Sequence, residues 1–318
     1  MLYGIVDIGS NTIRLKIYEY KNNKIKSVFS KKKTAGLIAY RDDGKLNDEG
    51  INILSSILNK FNKIMNLLNV ARRYFFATAS LRNISNTYEI IDFIKEKIGV
   101  DIHILDDETE AQLSFNSVKS TGLSSDDGIL IDVGGGSSEI IVFENKTPVD
   151  KGSLPVGSLS CYEDYVGIMF PNKKESKNIE KRVIKEIEDL GLVKTHKKYL
   201  FGVGGTVRNL KKLLVHLNFI NEKKDAFPVY LLDEVLDELK YNNKEDFNKI
   251  LKVKAERIHT LVPGIIIIKT IAKYFHVEKI CVCKNSIRKE FYIHFWMLRD
   301  YNEKKGLFIH SKQRAVLA

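Results

Sequence analysis

The chain has 318 residues, 44% hydrophobic and 29% charged, which suits a soluble globular protein of two domains, each with its own core. Its longest apolar run, LVPGIIII at 261–268, is too short to cross a bilayer, and MLYGIVDIGSN at the start has no basic region before a cleavable apolar core. Three cysteines without CxxC spacing argue against a disulfide framework and a zinc site, and the +11 net charge lies in scattered lysine clusters without a recognition-helix, zinc-finger or RNP signature.

Alternation predicts strands near 3–8, 12–20 and 24–30, and apolar residues at helical spacing predict a helix over 47–68. RRYFFAT (72–78) reads as a strand, 86–99 as a helix, DIHIL (101–105) as a strand, and another helix begins near Asp107. The small, polar stretch GLSSDDG (122–128) is the expected boundary, giving domains of 1–124 and 125–318. Strands at 128–133, 137–144 and 147–154 follow, then helices near 158–166 and 175–190 and a strand at 198–203. A glycine turn, GVGGT (202–206), leads into a helix over 206–217. The stretch 231–275 reads as mainly helical, interrupted at Pro263–Gly264, and a strand at 278–283 and a helix at 286–299 close the pattern.

One feature repeats. VDIGSNTIRLKIYEY (6–20) and IDVGGGSSEIIVFEN (131–145) run in step when Asp7 is laid on Asp132, so that Gly9 meets Gly134, Thr12 meets Ser137 and Glu19 meets Glu144. Two copies of strand, glycine turn and strand, each heading an α/β domain, indicate a duplicated fold with a cleft between the halves. Each turn would direct backbone N–H groups and hydroxyls at a phosphate chain. A single glycine turn is weak evidence, since many hairpins use glycine for positive φ; the paired Asp-x-Gly at strand ends is stronger.

An ordered series of motifs resembles the exopolyphosphatase and guanosine pentaphosphate phosphohydrolase (Ppx/GppA) phosphatase family, short two-domain branch. DIGSNTIRL (7–15) resembles its first phosphate loop, ATASLRN (77–83) its Thr/Ser-x-x-Arg segment, and ETEAQL (108–113) the segment of the catalytic glutamate. DVGGGSSE (132–139) is similar to the second phosphate loop, SLPVGS (153–158) to the strand after it, and GVGGT (202–206) to the third glycine turn. ERIHTLVPG (256–264) and SIRKE (286–290) resemble the closing motifs. Departures stand at Asp107, Thr109, Ser160, Asn285 and Lys289.

The resemblance implies two duplicated actin-like, ribonuclease H-like α/β domains. It implies an enzyme that removes terminal phosphate from inorganic polyphosphate or the 5′-γ-phosphate of pppGpp. Glu110 is implied to orient or deprotonate the attacking water, and Arg82 to grip phosphate oxygens from the head of a helix. Phosphate would be held by Gly9, Ser10, Asn11 and Thr12, by Gly134, Gly135, Gly136, Ser137 and Ser138, and by Gly204, Gly205 and Thr206. Asp7, Asp132 and Glu139 are hard oxygen ligands suited to Mg²⁺, which would bridge a carboxylate and a polyanion that otherwise repel.

Other readings stay open at this level. Asp7 and Asp132 could simply accept turn N–H groups, and Arg14 and Arg288 could be ordinary strand and salt-bridge residues. The seven histidines show no metal-ligand spacing. A kinase or ATPase of the same fold, and a non-catalytic polyphosphate or alarmone sensor, are the rival functions. The expected partners are inorganic polyphosphate or guanosine penta- and tetraphosphate, in the cytoplasm, with no membrane and no specific nucleic acid; a homodimer is left open.

Overall fold

The computed structural model describes residues 1–22, 24–106, 109–110, 115–116, 125–192 and 194–283. Two compact units divide the chain, Met1–Asp106 and Asp107–Ala318. The expected 124/125 boundary, the 286–299 helix with its SIRKE motif, and most of the helix expected from Asp107 involve residues outside the described ones.

The first unit is a five-stranded sheet in the order β3-β2-β1-β6-β7. β1 (Leu2–Ile8) runs antiparallel to β2 (Thr12–Lys21), which pairs β3 (Lys24–Thr34). On its other side β1 runs parallel to β6 (Arg72–Ala77), and β6 to β7 (Ile102–Ile104). Val6 and Ile8 on β1, with Ile13, Leu15 and Ile17 on β2, are buried at the two-residue period of one sheet face. Onto that face packs α1 (Asp48–Leu67), whose Leu54, Leu58, Phe61 and Met65 recur at helical spacing and are all buried. Asn47 caps α1 by accepting from the Gly50 N–H. Two shorter helices, α2 (Ala79–Arg82) and α3 (Thr87–Ile98), and a two-stranded antiparallel ribbon of β4 (Arg41–Asp42) and β5 (Lys45–Leu46) belong to the same unit.

The second unit repeats that order and adds one strand: β10-β9-β8-β11-β13-β12. β8 (Gly128–Val133), β9 (Ser138–Glu144) and β10 (Thr147–Leu154) form the antiparallel part. β11 (Tyr199–Val203) and β13 (Lys279–Val282) run parallel to β8. This is the duplicated α/β arrangement that the two matching hairpins led one to expect. The extra strand β12 (Ala226–Pro228) pairs antiparallel at the edge, and at three residues it is too short to show alternation in the sequence.

β8 is buried on both faces, hence its near-continuous apolar run. Ile129, Ile131 and Val133 join the larger core with α4 (Ser158–Tyr165), α5 (Lys173–Asp189), α6 (Gly204–His216), α7 (Leu231–Asp237), α8 (Lys244–Lys254) and α9 (Leu261–Tyr274). Leu130 packs on the opposite face with Phe143, Phe201 and Phe115, whose rings meet in a row at centroid distances of 5.5 and 5.6 Å. The apolar run 261–268 is the buried N-terminal half of α9. The interruption expected at Pro263–Gly264 is absent: Pro263 lies in the first turn of α9, where a missing N–H costs nothing. Among the described residues no helix is long and apolar enough to cross a membrane.

Candidate functional site

In the first unit the hairpin aligns Asp7 with Arg14 and Ile8 with Ile13 across β1 and β2. The turn between them closes with the Gly9 N–H donating to the Thr12 carbonyl at 3.1 Å, and a Cβ on Gly9 would sit 3.1 Å from that same oxygen. Ser10 and Asn11 are buried, and the Asn11 carbonyl accepts from the N–H groups of Ala35 and Gly36. The parallel pairing of β1 with β6 brings ATASLR beside this turn: Ile8 aligns with Ala77, and the Ser80 hydroxyl donates to the Ile8 carbonyl. Arg82 is the last residue of the one-turn α2 rather than the head of a helix, and its Nη1 donates to the Leu105 carbonyl at 2.8 Å.

The second hairpin has the same register shifted by one constant offset: Asp132 aligns with Glu139 and Val133 with Ser138. Its turn closes identically, the Gly134 N–H donating to the Ser137 carbonyl at 2.9 Å. The copies differ in the charged row crossing their sheets. In the first the row runs Asp7, Arg14, Lys32; in the second it runs Asp132, Glu139, Ser153. Two carboxylates directly opposite each other on one sheet face repel unless donors or a cation relieve them. Part of that relief is local: the Ser137 and Ser153 hydroxyls donate to Glu139 Oε1 at 2.8 and 3.5 Å.

The carbonyl side of this second turn is held by α4 (Ser158–Tyr165). The N–H of Ser158 donates to the Gly134 carbonyl at 2.9 Å, and those of Leu159 and Ser160 donate to the Gly135 carbonyl at 2.9 and 3.0 Å. The first-turn N–H groups of α4 thus find their acceptors in the turn. Gly157 makes this approach possible, because a Cβ there would overlap the backbone of Gly135 and Gly136. Ser160, one of the departures from the family pattern, accepts from the Gly157 N–H at 2.8 Å and caps the helix.

The third glycine turn closes against the second. Gly204 has φ of 86°, and a Cβ on it would collide with Asp132 Oδ1, so the carboxylate rests at the start of α6. There it meets the favourable end of the helix dipole. The Thr206 hydroxyl donates to the Val133 carbonyl at 2.8 Å, and the Ser138 hydroxyl to the Val156 carbonyl at 2.6 Å. These two hydroxyls, expected at phosphate, serve here to join the motifs. Gly264 packs its backbone against Thr206, which brings ERIHTLVPG into the same cluster. Glu110 is helical and buried at 8% exposure, as is its neighbour Thr109 at 4%.

The model of the Ppx/GppA phosphatase family matches residues 16–295, most of the chain. The chain belongs to the Ppx/GppA phosphatase family. It is 30% identical over 161 residues to "Exopolyphosphatase 1" of Mycobacterium tuberculosis, an alignment covering 50% of this chain and 47% of that protein. The chain thus matches about half the length of that relative. With "Exopolyphosphatase 1" of Mycobacterium leprae it shares 23% identity over 297 residues, 91% of this chain and 88% of the other. Among solved structures, an exopolyphosphatase from Cytophaga hutchinsonii superposes with a TM-score of 0.77 at 20% identity, over 97% of this chain and 99% of that one. The Ppx/GppA family member of Aquifex aeolicus superposes with a TM-score of 0.73 at 20% identity, over 94% and 98%. At these identities the superpositions establish a common fold.

Within this Ppx/GppA chain one residue of the cluster escaped the sequence reading. Arg257 sets its Nη2 3.2 Å from where a Cβ of Gly205 would stand, placing a guanidinium against the third turn. Its motif was recognised, but nothing in the spacing of 256–264 tells which side chain reaches a turn some fifty residues earlier. Among the described residues no three His, Cys, Asp or Glu side chains are grouped to hold a metal ion. A magnesium site needs no such group, being commonly built from one or two carboxylates with water and substrate phosphate. The opposed pair Asp132 and Glu139, hard oxygens on one sheet face, fits that donor set.

Proposed function

We propose that this chain is a phosphohydrolase that releases terminal phosphate from inorganic polyphosphate by directed attack of water. The observation that carries the reading is the pair of glycine turns with identical register, Gly9 to Thr12 and Gly134 to Ser137. Turns of this kind offer backbone N–H groups to phosphate oxygens without burying a cation. The exopolyphosphatase names of the relatives support the substrate class. The 5′-γ-phosphate of pppGpp presents the same terminal group and is the second substrate within this reading.

Each residue then has a task. Asp132 and Glu139 would hold Mg²⁺, which when bound neutralises phosphate charge, and Asp7 occupies the matching place in the first copy. Ser10 and Thr12 would donate to phosphate oxygens from the first turn, and the second would offer backbone N–H groups. Arg82 and Arg257 would supply guanidinium groups, which fork onto phosphate as lysine cannot. Glu110 would orient the water and accept its proton.

Phosphate release from linear polyphosphate and from pppGpp, measured side by side with Mg²⁺ and with EDTA, tests the proposal. Release is expected from polyphosphate and is expected to stop in EDTA. Full activity in EDTA would remove the metal from the account. Tight binding of both compounds without release of phosphate would make the chain a sensor instead.

A further inference from the structure

His259 lies two residues beyond Arg257, in the segment that leads into α9. Its ring stands edge-on to Tyr162 with centroids 5.1 Å apart and planes at 63°. Tyr162 belongs to α4, the helix whose first N–H groups hold the second glycine turn, and its hydroxyl is fixed on the Ile168 carbonyl at 3.0 Å. Within the 255–260 segment the N–H groups of Ile258 and Thr260 donate to the carbonyls of Ala255 and Arg257, and the Thr260 carbonyl accepts from the Gly264 N–H. These shape the segment locally, and beyond it α9 meets α4 where Gly264 lies against Ser158. The His259–Tyr162 contact joins the segment itself to α4.

We propose that His259 is a positioning residue for Arg257, clamping the 255–260 segment onto Tyr162 so that the guanidinium stays against Gly205. The inference rests on the proposed phosphate site. An arginine side chain loses much rotamer freedom when held in one place, so a fixed backbone beneath it lowers the cost of each hydrogen bond it makes. An aromatic edge contact supplies that fixing without adding charge. The imidazole stays neutral near pH 7, because burial first and the neighbouring Arg257 guanidinium second push its pKa below the ordinary 6.5. A lysine in its place would put a second cation beside Arg257. The charged group acting on His259 is Arg257 on its own segment, and from α4 it faces the uncharged Tyr162 ring.

The test compares five variants with the wild type in steady-state phosphate release from linear polyphosphate, with polyphosphate binding measured by calorimetry alongside. Arg257→Ala sets the scale by raising KM and weakening binding. His259→Ala is expected to raise KM about three- to tenfold, the size of one lost aromatic contact, with kcat within about twofold. Tyr162→Leu should do the same, and the double variant should be no worse than the worse single one. His259→Phe, which keeps the edge contact, should return KM to within about twofold of wild type. If His259→Ala fails to fold, Tyr162→Leu reads the same contact from the other side. Unchanged KM and binding in His259→Ala and Tyr162→Leu, with Arg257→Ala impaired, would overturn this inference and leave the site standing. Additive effects in the double variant would also overturn it. An Arg257→Ala variant that binds and turns over like wild type would overturn both the inference and the phosphate role of the third turn.

Discussion

Glu110→Gln is expected to lower kcat for phosphate release by about 10²- to 10⁴-fold while leaving polyphosphate binding intact. That loss corresponds to roughly 3 to 5.5 kcal/mol of barrier. The amide keeps the size and hydrogen-bonding reach of the carboxylate and removes only its capacity to take a proton. Glu110 is almost fully buried, and a buried carboxylate that merely filled space would tolerate this exchange. The glycine turns remain in the variant, so its residual rate should still exceed that of polyphosphate in water. Steady-state kinetics with a melting curve on the same sample decides the matter. A folded variant within about threefold of wild type would remove Glu110 from the mechanism. The proton acceptor would then have to be sought in Asp106, Asp107 or Glu108.

Gly157→Ala is expected to damage fold and site together. The backbone φ of −131° at Gly157 is one that any residue adopts, so the requirement is space. A Cβ would overlap the Gly135 carbonyl and the Gly136 nitrogen, both backbone, and no flexible side chain can move aside to relieve it. α4 must therefore back away, stretching the three N–H bonds from Ser158, Leu159 and Ser160 to the turn. At about 0.5–1.5 kcal/mol each, the expected loss is roughly 2–4 kcal/mol of stability. The carbonyls of Gly134 and Gly135 would lose their partners, and the turn its fixed shape. Denaturant unfolding measures the stability loss, and polyphosphate affinity the loss of the turn. A variant as stable and as tight-binding as wild type would show that α4 does not hold the second turn in place.

The duplication was legible because a hairpin has only one register compatible with its buried face. Val6, Ile8, Ile13, Leu15 and Ile17 alternate cleanly, and the same spacing recurs in 131–145. The strands and long helices could be read for the same reason. What escaped was set by approach in three dimensions. Arg257 reaches Gly205 because α9 packs onto α6 through Gly264 and Thr206, a contact without periodicity in the sequence. The hydroxyls of Thr206 and Ser138 look like phosphate donors in a motif, yet each is turned onto a backbone carbonyl that the converging loops bring within reach. Pro263 reads as a break, and only the position of Thr260 as the cap shows that it opens a helix. The contrast between Arg14 and Glu139 lay in the alignment of the two loops, but register was needed to show that each stands directly across from its aspartate.

In the proposed reaction water attacks a terminal phosphorus held by this chain. The most direct measurement is hydrolysis of linear polyphosphate in ¹⁸O-enriched water, with mass spectrometry of the released orthophosphate. Attack at the terminal phosphorus forms one P–¹⁸O bond and breaks the bond to the bridging oxygen, which leaves with the shortened chain. One solvent oxygen is expected in each released orthophosphate and none in the chain left behind. Orthophosphate carrying no label, or label found on the shortened chain, would contradict it.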